Sequence, residues 1–516
     1  MGHRRVPASA LAIAAQALLV ALPLWAAANP VRISPGPLSQ RHAAQPAMGQ
    51  RARLQRIVNQ PSDGVQFAFL MTDGSVLAQG GAGNDWYKYV PDINGNYADG
   101  TWTQVATMPK GYAPSAFSSA VLADGRLAVS GGEYNTPGNY QLQLTNLGAI
   151  YDPVKNTWTK LGHPKGWGFI GDSPNSVLPN GNFLVGQKLT LQAAYLNPAT
   201  LKWKKVPTNG KSDFNAEEGW TLLPNGTILT ADVKNAPNSE IYNPSAGKWT
   251  SAGSTIVDLH SPSPYHQCLQ YGPKPKDCYL PPGEIGPAIL RPDGTVFATG
   301  SGSGPSGGGT GHTSIYHTTG SLAGKWTQGP DFPNGDDAGD SFACLLPSGN
   351  VLVQGVTGTL YEFNGTSFTQ TGESDGSLLV LPNGTVLTIG YDMAIYTPAG
   401  SPQASWAPTI SSVPTTLTRG STYQVSGTQF NGLSQAEAFG DEFQNATNYP
   451  LVRIVNNKTK HVFYARTHGH STMAVATGST PVSTNFDVPA AAEAGASTLV
   501  VVANGIPSAP AAVTLK

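Results

Sequence analysis

The sequence predicts an all-β protein, a seven-bladed β-propeller followed by an immunoglobulin-like β-sandwich. Three observations lead there. A unit of apolar run, tight turn and second apolar run recurs seven times between residues 65 and 398. An aliphatic-Tyr strand and then a Trp strand follow most of these hairpins, and beyond Ser405 alternating strands without those marks take over.

The turns are TDG ending at Gly74, ADG at Gly125, PNG at Gly181 and Gly226, PDG at Gly294, PSG at Gly349 and PNG at Gly384. Asp-Gly or Asn-Gly between apolar strands is a strong hairpin signal, because a type I′ turn needs φ > 0 at both central residues. The third strands read Ile150-Tyr151, Ala194-Tyr195, Ile241-Tyr242, Ile315-Tyr316, Leu360-Tyr361 and Ile395-Tyr396. The fourth carry Trp102, Trp158, Trp203, Trp249 and Trp326, with Phe368 substituting in the sixth unit. Four strands per unit at intervals of roughly 35 to 70 residues is the sequence form of propeller blades. Gly80-Gly81 and Gly131-Gly132 are the double glycines of Kelch repeats. The seventh unit ends at Pro398 without a Trp strand, so its outer strand is expected from residues 51–60, removing an exposed edge. The propeller is thus placed at 51–403, after an extended lead-in at 29–50, and the sandwich at 404–516.

Composition agrees. Gly 60 and Pro 42 with only 12% charged residues suit short strands joined by tight turns. A net charge of −1 suggests neither a nucleic-acid nor an anionic-membrane partner. Residues 1–28 read as a signal peptide: His3-Arg4-Arg5, an apolar stretch from Ala10 to Trp25, and Ala26-Ala27-Ala28 for cleavage. The mature chain is expected to be secreted or periplasmic, with no membrane span left after cleavage. Cys268 and Cys278 flank a short Pro/Lys-rich loop and are expected to pair in an oxidising compartment, while Cys344 in DSFACLL is expected to be a buried thiol.

This arrangement resembles the galactose oxidase and glyoxal oxidase family of copper-radical oxidases. The resemblance covers nearly the whole mature chain and is closest in the hairpins and in YPLVRI…FYARTHGHS. It implies a C-terminal early-set domain that sends a copper-binding histidine into the propeller axis, matched here by Thr467-His468, with His470 two residues on. The rest of the copper apparatus departs from the family. The crosslinked cysteine's position falls on Ala116, the radical tyrosine's on Asp172, and the Tyr-His pair's on Ser374-Asp375. His468 alone cannot hold a metal.

The position that starts each inner strand reads Val65, Ala116, Asp172, Glu217, Ile285, Asp340 and Asp375. Four of these seven are acidic, although Asp and Glu make only 31 of 516 residues, so the enrichment is selective. Glu218 and Glu284 lie beside the ring. Like charges crowded at one end of a channel need relief. It could come from a hard cation such as Ca²⁺, from Arg466, His468 and His470, or from a proton kept on one carboxyl. Equally, acids at strand starts can hydrogen-bond backbone N–H groups and hold neighbouring blades together.

Three functions compete. The first is an enzyme acting on extracellular saccharide through paired carboxylates, using Asp172, Glu217, Asp340 and Asp375, with Arg466 and His468 as anion-binding or proton-transfer groups; Trp167 and Trp220 could serve as platforms for sugar rings or, more commonly for such residues, as blade packing. The second is a non-catalytic module binding glycan or cell wall. The third is a copper-radical oxidase of sugars or aldehydes.

Overall fold

A computed structural model describes residues 52–516, except 58, 136–143, 262–266, 269–277, 280–284, 303–310, 375, 391–392, 436 and 440–441. The signal-peptide segment, the 29–50 lead-in, Glu284 and Asp375 therefore lie outside the described residues. Among those described, no helix is long and apolar enough to cross a membrane.

Seven antiparallel sheets form the blades. Their inner strands are Val65–Leu70, Ser118–Val121, Asn175–Val177, Thr221–Leu222, Ala288–Leu290, Ala343–Leu345 and Ser377–Val380. From the second onward each adjoins the next, and the seventh adjoins the first. The seventh blade takes its outer strand from the other end of the chain: Arg53–Arg56 pairs antiparallel with Ala394–Thr397, the closure expected from residues 51–60.

The repeated aromatics have a common task. In each of blades one, two, four and five the third-strand tyrosine faces the fourth-strand tryptophan across the ladder. The pairs are Tyr89–Trp102, Tyr151–Trp158, Tyr242–Trp249 and Tyr316–Trp326, with ring centroids 4.4, 5.2, 5.0 and 5.1 Å apart. Phe363–Phe368 takes this place in blade six at 5.5 Å. Such cross-strand pairs stabilise by roughly 0.2–1 kcal/mol each. The indole N–H groups also tie blades together: Trp102 donates to Asn59 O at 3.1 Å, Trp158 to Ala106 O at 3.0 Å and Trp203 to Gly162 O at 2.5 Å.

The hairpin turns differ from the expectation in one respect. The glycines have positive φ, from 74° at Gly74 to 85° at Gly349, but the residues before them do not, so these are not type I′ turns. Each is a type I turn closed by a left-handed glycine. The preceding Asp, Asn or Ser instead accepts the N–H two residues on, as Asp73 does from Ser75 at 3.0 Å and Asn225 from Thr227 at 3.1 Å. All seven turns repeat this bond.

The C-terminal strands join into one curled nine-stranded sheet around its own apolar core of Val425, Val452, Phe486, Leu499 and Val501. This sheet rests on the end of the propeller that carries the hairpin turns, here called the turn face. Thr467 N–H donates to Thr72 O at 3.0 Å, Gly469 to Ala123 O at 2.8 Å and Met473 to Pro179 O at 2.9 Å.

One excursion from the sheet, residues 434–448, runs into the axis. Glu437–Ala438 adds a fifth strand to blade six inside Ala343–Leu345. Gln435 Nε2 donates to Val177 O at 3.3 Å, and Asn175 Nδ2 donates to Glu442 O. Phe443 stacks on Phe67 with centroids 3.8 Å apart and meets Phe117 edge-on at 5.0 Å. The excursion thus touches blades one, two, three and six and fills the channel. Beside it remains a cavity of about 30 Å³ lined by Asn175, Trp220, Gln435, Phe439 and Gln444, enough for a water or two and far too small for a sugar. Replacing Phe443 with Ala is expected to destabilise the protein by about 3–5 kcal/mol in denaturant unfolding, the cost of emptying a packed aromatic site.

Candidate functional site

The opposite end of the propeller, where the inner strands begin, is the start face, and the acidic residues gather there. Asp172 and Glu217 are brought together by a lysine that the sequence reading missed. Lys188 Nζ donates to Asp172 Oδ2 at 2.7 Å and to Glu217 Oε1 at 2.5 Å. Its backbone N–H is pinned to Ile170 O at 3.0 Å, and Leu189 N–H to Asn215 O at 2.6 Å, so the loop is held from both sides. Gly171 makes room for it: with φ at 83°, a Cβ there would stand 2.8 Å from Lys188 Cβ.

Two further carboxyls join the cluster. Glu133 follows the double glycine of blade two, its N–H donating to Ala116 O at 2.9 Å. Glu442 is carried in by the axial excursion and is 4% exposed. Burial first, then the charge of Asp172, raises both carboxyls well above the usual carboxylate range. Asp172 is pushed up to about 7 by burial, with Lys188 acting against the rise. For Lys188 burial works to lower the value, but Asp172 and Glu217 outweigh it and keep the ammonium charged. Tyr134, 8% exposed, is raised by burial and by Glu133. Asp340 stands exposed at the mouth with φ at 47°, within electrostatic range of Glu442 and Tyr134.

Other expectations are corrected. Glu218, adjacent to Glu217, turns away into blade four and is fully buried. There Lys211 Nζ donates to Glu218 Oε1 at 3.1 Å and to Glu240 Oε2 at 3.0 Å, and lies 4.3 Å from the Trp249 ring centre. Asp213 and Asp232 complete this second cluster. Among the described residues neither oxygen of Asp232 has a hydrogen-bond partner, and burial with Glu240 and Glu218 pushes its carboxyl up to about 8. Trp167 and Trp220 are 2% and 4% exposed, so both are packing residues and offer no platform to a sugar.

Arg466, His468 and His470 do not reach the acids. Arg466 Nη1 donates to Asp124 O at 3.2 Å on the turn face, and His468 Nε2 pairs with Asp487 Oδ1 at 3.1 Å. His470 is buried against Thr484 Oγ1 at 2.8 Å, and burial lowers its ring to about 3, so it stays neutral. The inner strands stand between the two faces, the longest, Val65–Leu70, spanning roughly 20 Å at about 3.3 Å per residue. The segment that enters the axis is therefore 434–448, and the relief of crowded charge comes from Lys188 and raised proton affinity.

The residues at the mouth do not fit a copper-radical centre. Lys188 Nζ fills the place between Asp172 and Glu217 where a cation would sit, the donors are carboxyls, and Tyr134 hydrogen-bonds Glu133. Among the described residues no three His, Cys, Asp or Glu side chains are placed to share a metal ion. Cys268 and Cys278 are register partners in a two-stranded ladder, their side chains lying outside the described residues. Cys344 is a fully buried thiol on the inner strand of blade six, as expected.

Lys188→Met is expected to destabilise the protein by about 3–5 kcal/mol in denaturant unfolding, because it leaves two facing carboxylates without their cation. Asp232 gives a pH signature. Its native carboxyl keeps the proton up to about pH 8 while an unfolded one releases it near 3.8, so its stabilisation is complete below that value and is lost as pH rises through 8. Asp232→Asn removes the loss, and its melting temperature relative to the native protein is expected to be higher at pH 9 than at pH 5.

No protein-family model matches the chain. Over 174 residues it is 29% identical to the N-acetylneuraminate epimerases of two Haemophilus influenzae strains. That stretch is 34% of this chain and 42% of each relative, so the match spans about two fifths of the relatives' length. Among solved structures it is similar to a fungal alcohol oxidase of the AA5 family in complex with copper, at TM-score 0.48 and 15% identity over 91% of this chain and 100% of that one. It is also similar to a catalytically inactive virginiamycin B lyase from Staphylococcus aureus, at TM-score 0.45 and 12% identity over 67% and 99%.

Proposed function

We propose that this is a secreted or periplasmic propeller protein that acts on saccharide at the acid-lined mouth of its start face. The observation that carries the reading is the juxtaposition at one channel mouth of ion-paired Asp172 and Glu217 with a third carboxyl, Glu133, whose proton affinity burial raises well above the usual range. Neighbouring carboxyls in different protonation states are the requirement for moving protons to and from sugar oxygens or carbons. Asp172 Oδ1 is enclosed, so the groups within reach of a ligand are Glu217, Asp340 and Glu133. Lys188 and Asp172 act as positioning residues, fixing Glu217. The partial match to N-acetylneuraminate epimerases supports a sugar as the ligand class. An acidic mouth with its one lysine already engaged favours neutral or cationic sugars over sugar acids.

A non-catalytic glycan-binding role is the second reading, favoured by the filled axis, where the cavity beside the excursion is about 30 Å³ and too small to enclose a sugar. Incubation with neutral, amino and acidic saccharides, with products followed by mass spectrometry and binding by calorimetry, separates the two. Turnover that falls about 10²- to 10⁴-fold in Glu133→Gln and Glu217→Gln is the expected result. Binding without product in the native protein selects the binding module. Neither binding nor product with any class overturns the saccharide reading.

A further inference from the structure

Away from the mouth, where blade four passes to blade five, two histidines stand on the start face, each held by a carboxylate. His260 Nδ1 is 2.6 Å from Asp258 Oδ1, and His312 Nδ1 is 2.7 Å from Asp331 Oδ1. A carboxylate oxygen only accepts, so in each neutral ring the proton sits on Nδ1 and the lone pair on Nε2. The side chains are 22% and 42% exposed, and among the described residues neither Nε2 has a hydrogen-bond partner.

The two pairs come from separate chain segments drawn together by Gly300 and Ser301. Gly300 N–H donates to His312 O at 2.9 Å, and Ser301 N–H donates to Leu259 O at 3.0 Å. A Cβ on Gly300 would lie 2.8 Å from Leu259 O and 3.0 Å from His312 O, so those two oxygens are no more than about 6 Å apart. Phe332 N–H, next to Asp331, donates to Gly311 O at 2.9 Å and ties the third segment to the same spot.

An imidazole that binds a metal almost always donates its other N–H to a carboxylate, which fixes the tautomer and raises the basicity of the free nitrogen. Two such rings stand on adjoining segments, each with Nδ1 held by a carboxylate. We propose that His260 and His312 form a surface site for a borderline divalent transition ion, Zn²⁺ or Ni²⁺ by chemistry, with Asp258 and Asp331 orienting the rings. No third ligating side chain converges with them among the described residues, so water completes the coordination shell. The site is separate from the carboxyl mouth and from copper-radical chemistry, which needs tyrosine.

The test is calorimetric titration of ZnCl₂ into the dialysed, chelator-treated protein. One ion per chain is expected, with binding lost in His260→Ala and in His312→Ala. Asp331→Asn, which keeps both imidazoles, is expected to weaken binding about ten- to a hundredfold. His163→Ala, remote from the pair, is expected to change nothing. Absence of zinc binding, binding insensitive to either ligand substitution, or equal loss in His163→Ala overturns the proposal. Thermal melts of each variant confirm that the surface substitutions leave the fold intact.

Discussion

Seven inner strands set in a ring surround an axial space, and close-packed interiors do not tolerate an empty one. In this protein that constraint is met by a piece of chain from outside the propeller. Residues 434–448 lay Phe443 against Phe67, Phe117 and Phe342, and extend blade six by a strand. The filling therefore welds the C-terminal sheet to the blades. It also brings Glu442 among carboxyls contributed by blades two to four, so the mouth is made jointly by both regions.

Once Glu442 is there, charge becomes the governing term. The cluster holds Glu133, Asp172, Glu217 and Glu442 against Lys188, and blade four repeats the pattern with Asp213, Glu218, Asp232 and Glu240 against Lys211. One ammonium cannot neutralise four carboxylates, and burial makes every extra charge costly. Burial accordingly raises the proton affinity of Glu133, Asp172 and Glu442 in the first cluster and of Asp213, Glu218 and Asp232 in the second. The two clusters differ in access: Glu217 faces the mouth, while its neighbour Glu218 is sealed inside the blade. The chain bends at Glu217, ahead of the inner strand Thr221–Leu222, and the Glu-Glu pair divides between the two clusters there.

Much of the fold was legible because its signals are local and repeated. Turn glycines, Tyr–Trp ladders and the missing seventh outer strand each recur or fail to recur on a fixed beat. The turn geometry was half legible: glycine supplies the positive φ, but Asp and Asn serve as acceptors and keep ordinary backbone angles. Asp172 and Glu217 could be found by counting back from the turns. Lys188 and Glu442 could not, since nothing periodic marks a lone lysine in VGQKLTLQ or the acids of GDEFQN, and their neighbours in space lie far off in sequence. Which loop enters the axis was open for the same reason: the resemblance implied an axial histidine at His468, but a single histidine carries no information about which loop packs into the channel. For Trp167 and Trp220 the sequence left sugar platform and blade packing both open, because an aromatic near a strand start looks alike whether it faces solvent or the next blade; their burial selects packing.

The ladder between Arg53–Arg56 and Ala394–Thr397 has a consequence for biogenesis. The first strand to be synthesised finds its partner only after some 340 further residues have been made, since the pairing joins the two ends of the propeller. Until then the ring has two raw edges, and the axial segment, made later still, has no channel to enter. Contacts of such long range make folding slow and leave apolar strands exposed during it. Assembly of this protein must therefore run from blade pairs outward, with ring closure and axial filling as its last events, and the incomplete ring is the species most in need of protection from its own kind.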